Sequence, residues 1–243
     1  MKKDDLGNRM KTYESTSKTF LTKRMPVIIR IDGKAFHTYT RGLIKPFDEN
    51  LANAMAETAR YLCENISGCK LAFYQSDEIS LLITNNDKIT TESWFNNNLQ
   101  KMVSVSASLA TAKFNSLDWE GKPLDLALFD SRAFILPEDE VVNYFLWRQQ
   151  DATRNSVSMV AQTNFPHKEL QYLSSAELQE KLFSEKEINW NDIETWKKRG
   201  LCVTRKYAVK ERGVRNPWFI DKEIPVFTQD RNYIERFLKP QDK

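Results

Sequence analysis

The 243-residue chain is 41% apolar and 28% charged, with 36 Lys and Arg against 33 Asp and Glu for a formal charge of +3. Its 7 Gly, 8 Pro and near-balanced charge exclude collagen-like, low-complexity and wholly disordered proteins, and leave apolar mass for one large domain or two small ones. No apolar run approaches the ~20 residues that cross a bilayer, and Met1-Lys2-Lys3-Asp4-Asp5 leads into no apolar stretch resembling a signal sequence, so no membrane partner and a cytoplasmic location are expected.

In chain order, residues 25–31 are short and β-branched and run into Asp32-Gly33, which reads as a buried strand ending at a turn. Asp48 is a natural N-cap for a helix over 49–66, where Leu51, Met55, Ala59 and Leu62 recur at helical spacing. Ser67-Gly68 stops that helix, strand character resumes over 71–74, and Gln75-Ser76-Asp77-Glu78 joins it to a strand over 79–83 as a hairpin. A helix over 92–114 follows, with a small-residue face through Ser104, Ser106, Ala107, Ser108, Ala110 and Ala112 suited to close packing on a sheet. Residues 126–136 supply another strand, interrupted by Asp130-Ser131-Arg132. Helices over 138–162 and 174–183 and a strand over 201–209 complete the chain. Cys63, Cys69 and Cys202 leave one thiol unpaired in any disulfide scheme and match no zinc or redox spacing, so buried free thiols are expected.

Up to residue 136 the order is β-α-β-β-α-β. That predicts an α+β protein built on a ferredoxin-like, split βαβ sheet with both helices on one face. Residues 1–136 form the catalytic core in this reading, and 137–243 a helical and β extension packed on it. Charge is uneven as well. Between Trp196 and Arg215, Lys197, Lys198, Arg199, Arg205, Lys206, Lys210, Arg212 and Arg215 face a single Glu211, which leaves the rest of the chain mildly acidic. A basic stretch on an acidic body fits a track for a phosphate backbone, with Trp196, Tyr207 and Trp218 available to stack bases. A solvated basic surface is the plainer alternative.

The chemistry rests on two acids. Asp32 ends the first strand and Asp77 sits at the hairpin tip, and a split βαβ sheet makes those two strands neighbours. Two carboxylates at one sheet edge suit Mg²⁺, which takes one or two carboxylates plus waters and substrate phosphates. A pair of such ions would serve phosphoryl or nucleotidyl transfer. Taken singly, Asp-Gly and Asp-Glu are ordinary turn pairs; taken together on this topology they point to a site. Glu78, adjacent to Asp77 and pointing away along an extended strand, ranks behind them as a nucleotide-site candidate. Arg30, Lys34, Lys45 and Arg132 lie near the same edge and suit triphosphate oxygens. No Ser/His/Asp, zinc or Gly-rich phosphate-loop pattern is present.

Arg30-Ile31-Asp32-Gly33-Lys34-Ala35-Phe36-His37, Lys45-Pro46-Phe47-Asp48, Tyr74-Gln75-Ser76-Asp77-Glu78, Phe129-Asp130-Ser131-Arg132 and Trp147-Arg148-Gln149-Gln150-Asp151 together resemble tRNA-histidine guanylyltransferase and its relatives. The resemblance runs from about residue 18 to 200. It implies a polymerase-palm domain that adds nucleotides 3′-to-5′, with two Mg²⁺ held by Asp32, Asp77 and the Gly33 carbonyl. It puts Arg30, Lys45, Ser76 and Arg132 near nucleotide and triphosphate, Phe36 and His37 near the activating nucleotide, with ATP, GTP and tRNA as substrates of a homotetramer. One departure stands out. Where the guanylyltransferase proper has His-Ile-Asn-Asn after the Asp matching Asp151, this chain reads Ala152-Thr153-Arg154-Asn155, so only Asn155 survives and is grouped with the tRNA contacts. The pattern is similar to the bacterial and archaeal branch, which implies template-dependent repair of 5′-truncated tRNA with ATP-dependent adenylylation of a 5′-monophosphate. Addition of one G to histidine tRNA is the second reading. A non-catalytic RNA-binding module is the third, and a nucleotide cyclase the fourth, against which counts the absence of a Gly-Gly-Asp/Glu-Glu-Phe hairpin.

Overall fold

β-Branched and aromatic residues concentrate in a few short runs, and those runs pair into one sheet. The computed structural model describes residues 5–205 and 217–239. An exposed helix, α1 (Asp5–Ser15), precedes β1 (Val27–Gly33) and the single turn α2 (Phe36–Tyr39). Helix α3 (Glu49–Asn65) starts where expected, with the Asp48 carboxylate accepting from the Leu51 N–H. Strands β2 (Cys69–Gln75) and β3 (Glu78–Ile83) leave only Ser76 and Asp77 between them, a tighter hairpin than the four-residue connection expected. Ser76 adopts a left-handed φ of 55° to make that turn.

Two expectations are corrected here. The second long helix, α4 (Leu99–Ser116), starts seven residues later than expected, because Phe95, Asn96 and Asn97 adopt positive φ and Asn98 supplies the N-cap to Lys101. β4 (Phe129–Ile135) runs unbroken through Asp130-Ser131-Arg132. It is an edge strand of the sheet, so polar side chains stand in solvent without breaking the ladder.

Then follow α5 (Glu138–Asn164), α6 (His167–Leu170), α7 (Ser175–Lys186) with a complete Ser174–Glu177 capping box, α8 (Thr195–Arg199), β5 (Leu201–Arg205), β6 (Trp218–Asp221) and α9 (Asn232–Glu235). The order across the sheet is β4-β1-β3-β2-β5-β6, with every neighbouring pair antiparallel. The protein is thus a mixed helix and antiparallel-sheet fold. The chain from β5 onward extends the same sheet by two strands.

Alternation along the strands divides the core. Ile29, Ile31, Ala72, Tyr74, Ile79 and Leu81 bury against α3 and α4 on one face. Ile28, Leu71, Phe73 and Leu82 bury against α5 and the segment around Phe227, Tyr233 and Phe237 on the other. The two early helices share a face as expected, but helices cover both faces. Cys63, Cys69 and Cys202 are buried free thiols. Among the described residues no helix is long and apolar enough to cross a membrane.

Candidate active site

Asp32 and Asp77 meet where the strands end. In β1 Asp32 registers with Glu78 of β3 on one side and Asp130 of β4 on the other. The Gly33 N–H donates to the Asp77 carbonyl at 3.0 Å, tying the end of β1 to the hairpin tip. Gly33 has a steric reason as well: a Cβ there would lie 2.3 Å from the Phe36 ring. Burial and then the charge of Asp32 hold the Asp77 carboxyl above the usual carboxylate range, against hydrogen bonds from its own backbone N–H and Ser76 that pull it down. The nearby Tyr74 phenol is pushed up by burial and by Asp77.

The donor set decides which ion fits. Among the described residues no group of three or more His, Cys, Asp and Glu forms a protein cage, and neither Asp32 nor Asp77 has an ion-pair partner. Two carboxylates brought to one sheet edge are hard oxygen donors, suited to a divalent ion that keeps waters and phosphates around it.

A cavity of about 320 Å³ opens beside Asp77. Ser76 and Asp77 close one end; Phe36, His37, Thr40 and Leu43 form one wall, and Lys45, Pro46 and Phe47 another. Ala152, Asn155, Ser156 and Met159 reach it from α5, and Trp196, Lys197 and Gly200 from the segment that enters β5. Phe36 is fixed by Tyr39, Phe114 and Phe129, while Phe47 meets Trp196 edge-on at 6.2 Å. An aromatic, partly apolar chamber lined by one carboxylate, with a second beside it, has the chemistry for a nucleoside with its phosphates near the acidic residues.

Of the expected site residues, Phe36, His37, Lys45, Ser76, Asp77, Asn155 and Lys197 line this cavity. Asp32 flanks Asp77 outside the lining, and Lys34 is exposed with its N–H on the Leu128 carbonyl. Arg30 and Arg132 face each other across β1 and β4 on the sheet side that carries α5. Arg132 is 54% exposed, with Asp130 at 3.3 Å. Glu78 lies in a buried ion-pair cluster. Its side chain is 4% exposed and both oxygens are engaged, Oε1 by Arg148 Nε at 2.7 Å and Oε2 by Arg148 Nη2 and Arg30 Nη2, each at 2.6 Å.

The basic stretch divides as well. Lys197 pairs with Glu49 and Glu194 in the cavity wall, Lys198 donates to the Asn191 carbonyl, and Arg199 is half-buried. Arg205 lies over the Trp218 ring at 4.8 Å, and Trp218 is buried in the core, which removes it from base stacking. Lys206, Tyr207, Lys210, Arg212 and Arg215 lie outside the described residues. Sequence reading did not find Thr40, Leu43, Ser156 and Met159 as cavity residues, since nothing in an apolar or small side chain distinguishes wall from core. Arg148 stands within the Trp147–Asp151 motif, which does not name its partner. An Arg on the helix stripe of buried Val141, Tyr144, Phe145 and Ala152 was the available signal for a buried partner.

The family model described as Thg1, tRNAHis guanylyltransferase, matches residues 7–137. The Saccharomyces cerevisiae tRNA(His) guanylyltransferase is 31% identical over 201 residues, 74% of this chain and 82% of that protein. A bacterial tRNA(His) guanylyltransferase-like protein solved in complex with ATP superposes with a TM-score of 0.90 at 55% identity, over 98% of this chain and 100% of that one. A second structure, in complex with GTP, gives 0.85 and 53%, over 97% and 99%. By family model, sequence and fold, the chain belongs to the tRNA(His) guanylyltransferase family and is a nucleotidyltransferase.

Proposed function

We propose that the protein adds nucleotides in the 3′-to-5′ direction to the 5′ end of truncated tRNA, using the opposite strand as template. The observation that carries this reading is the α5 wall of the cavity. Ala152 and Asn155 line it, at positions where the guanylyltransferase proper has a His and an Asn. A methyl group in place of an imidazole removes a donor and acceptor that would single out one base or one tRNA, and leaves a chamber that tolerates several. The similarity to the bacterial like-protein, at 55% identity, supports the same branch, and its ATP complex supports ATP as a substrate of this cavity, as the related GTP complex supports GTP.

The four-strand core β4-β1-β3-β2, with α3 and α4 on one face, serves in this reading as a ferredoxin-like polymerase palm. A 5′-monophosphate has no good leaving group. Its oxygen therefore attacks the α-phosphorus of ATP, the bond to pyrophosphate breaks, and an adenylylated end forms. The 3′-hydroxyl of the incoming nucleotide then attacks the 5′-phosphorus, losing its proton as AMP leaves. A triphosphorylated end enters at the second step. Asp32, Asp77 and the Gly33 carbonyl would hold Mg²⁺, which when bound supplies charge neutralisation and polarises the attacking hydroxyl. The chain's own contribution is positioning: Phe36, His37 and Trp196 hold the nucleoside, Lys45 and Ser76 meet phosphates, Lys34 and Arg132 stand exposed for triphosphate oxygens and Arg30 joins them while paired to Glu78, and water is kept from the activated end. The basic stretch, with Asn155, gives tRNA an electrostatic track, and a homotetramer gives it more than one copy to lie across.

The test is incorporation of labelled nucleotides onto 5′-truncated tRNAs with varied opposing bases, against an intact histidine tRNA. Templated extension of the truncated substrates is expected; clear preference for a single G on intact histidine tRNA overturns the reading. The family model and the curated relatives' names favour that second activity, so the comparison discriminates directly. Sedimentation with and without tRNA reads the assembly.

A further inference from the structure

We propose that Arg148 is a positioning residue, clamping Glu78 so that the Asp77 turn, Arg30 and the cavity-lining part of α5 move as one unit, and that Glu78 is this unit's anchor and not a metal ligand. The inference rests on the functional reading only in taking Asp32 and Asp77 as the phosphate-site carboxylates.

The geometry is specific. Arg148 gives Glu78 a two-point fork, Nε to Oε1 at 2.7 Å and Nη2 to Oε2 at 2.6 Å, and Nη2 also donates to Asp151 Oδ2 at 3.0 Å. The guanidinium carbon lies 4.5 Å from the centroid of Trp147, and the side chain is 4% exposed. Ser80 donates to Glu78 Oε1 at 3.2 Å and bonds the Tyr144 hydroxyl at 2.8 Å, so α5 grips β3 at two places. Glu78 Oε2 also holds Arg30 Nη2 at 2.6 Å, while Arg30 Nε is buried without a partner among the described residues. Three guanidinium N–H contacts and the Ser80 hydroxyl together match the roughly four acceptor sites of the Glu78 carboxylate.

Position along the chain gives the clamp its reach. Glu78 follows Asp77 directly, so fixing one fixes the backbone that presents the other. Ala152 stands one helical turn after Arg148, and Asn155 and Ser156 two turns after, all three lining the cavity. Loss of the fork frees the turn, where two like charges push apart, and frees the wall against which the nucleoside lies.

Four variants test this: Arg148→Met, Arg148→Lys, Glu78→Gln and the double Glu78→Gln/Arg148→Met. Each is read by thermal midpoint and by calorimetric binding of ATP with Mg²⁺ to the full chain without tRNA, which does not depend on which tRNA the enzyme repairs. Arg148→Met alone strands a buried carboxylate, and loss of fold in that variant leaves the double variant as the deciding measurement. The double variant removes both charges. Its midpoint is expected to return toward wild type while ATP affinity stays down about tenfold, because nothing then holds Arg30 and the turn. Arg148→Lys keeps the charge but not the fork, and a severalfold loss of affinity is expected. Wild-type affinity in the double variant would reduce Arg148 to a structural role and overturn the proposal. So would a Glu78→Gln protein that binds ATP normally without Mg²⁺ yet gains nothing from adding it, since that is the signature of a lost metal ligand. Wild-type protein that binds ATP and fails on truncated tRNA would refute the repair reading and leave this one standing.

Discussion

Asp77 and Glu78 are neighbours in sequence and opposites in environment. Asp77 stands half-buried beside Asp32 with no cation paired to either among the described residues, and its carboxyl is held high by burial and by that like charge. Glu78, one residue on and already in β3, is buried with both carboxylate oxygens engaged by Arg148 and Arg30. The satisfied region is finished by the protein alone; the unsatisfied one is completed by something the protein binds. That contrast locates function more sharply than charge count, since both regions are rich in ionisable groups.

The contrast breaks if the unsatisfied side turns out to be dispensable. Asp32→Ala or Asp77→Ala is expected to lower nucleotide incorporation on the order of 10³-fold or more while the circular dichroism spectrum and thermal midpoint stay near wild type. Activity within tenfold of wild type in either variant would refute the carboxylate assignment. On the satisfied side the larger effect is on folding. Arg148→Met leaves Glu78 with half its counter-charge, and urea denaturation should show a loss of about 3–5 kcal/mol, as for other buried pairs broken from one side. Gly33→Ala sits between the two regions. The added methyl must displace the Phe36 ring that walls the cavity, for a cost of about 1–3 kcal/mol in the same titration together with weaker nucleotide binding.

Sequence reading reached the unsatisfied region more easily than the satisfied one, for a physical reason. Asp32, Gly33 and Asp77 lie at strand ends, where turn chemistry and topology together bring them to one edge; the Asp48 cap and the α3 periodicity were legible in the same way. The Glu78–Arg148 pair spans 70 residues, and no local pattern encodes which buried Arg answers which buried Glu. β4 was hard because an edge strand alternates polar residues into solvent, so Asp130-Ser131-Arg132 looked like a break. The start of α4 was hard because Trp94-Phe95 supplies helix-compatible apolarity to a segment whose following asparagines adopt left-handed turns. The cavity wall was hidden most completely. Ala152 and Met159 carry no chemistry of their own, and only the fold turns them toward Asp77.

The stability of Asp77 variants sharpens the comparison at smaller scale. A carboxyl raised by burial and by a like charge binds its proton more tightly in the folded chain than in the unfolded one. It therefore contributes its full stabilisation below the unfolded pKa and loses it as pH rises through the folded value. Above the folded value the ionised group is a net cost. Asp77→Asn removes that charge and keeps the shape, so the midpoint at neutral pH should hold or rise, by about 0.5–1 kcal/mol, while incorporation is lost. ATP with Mg²⁺ should raise the wild-type midpoint and leave the variant's nearly unmoved. A variant that melts below wild type at neutral pH would mean that Asp77 is structurally satisfied after all.

The smallest effect is expected at Arg132, and it tests whether the two regions divide as described. Arg132 lies across from Arg30 on the same sheet face, but its salt-bridge partner among the described residues, the 58%-exposed Asp130, is 3.3 Å away in solvent. Such a pair contributes little to folding, so Arg132→Ala should change stability by no more than about 0.5 kcal/mol. If its fork is held in reserve for phosphate, the same substitution should raise the KM for the triphosphate severalfold with the midpoint unchanged. Arg30→Ala should move both quantities, because Arg30 serves Glu78 and the site together. Equal behaviour of the two arginines would dissolve the boundary, since a cation committed to a buried carboxylate and one left in solvent would then be doing the same job.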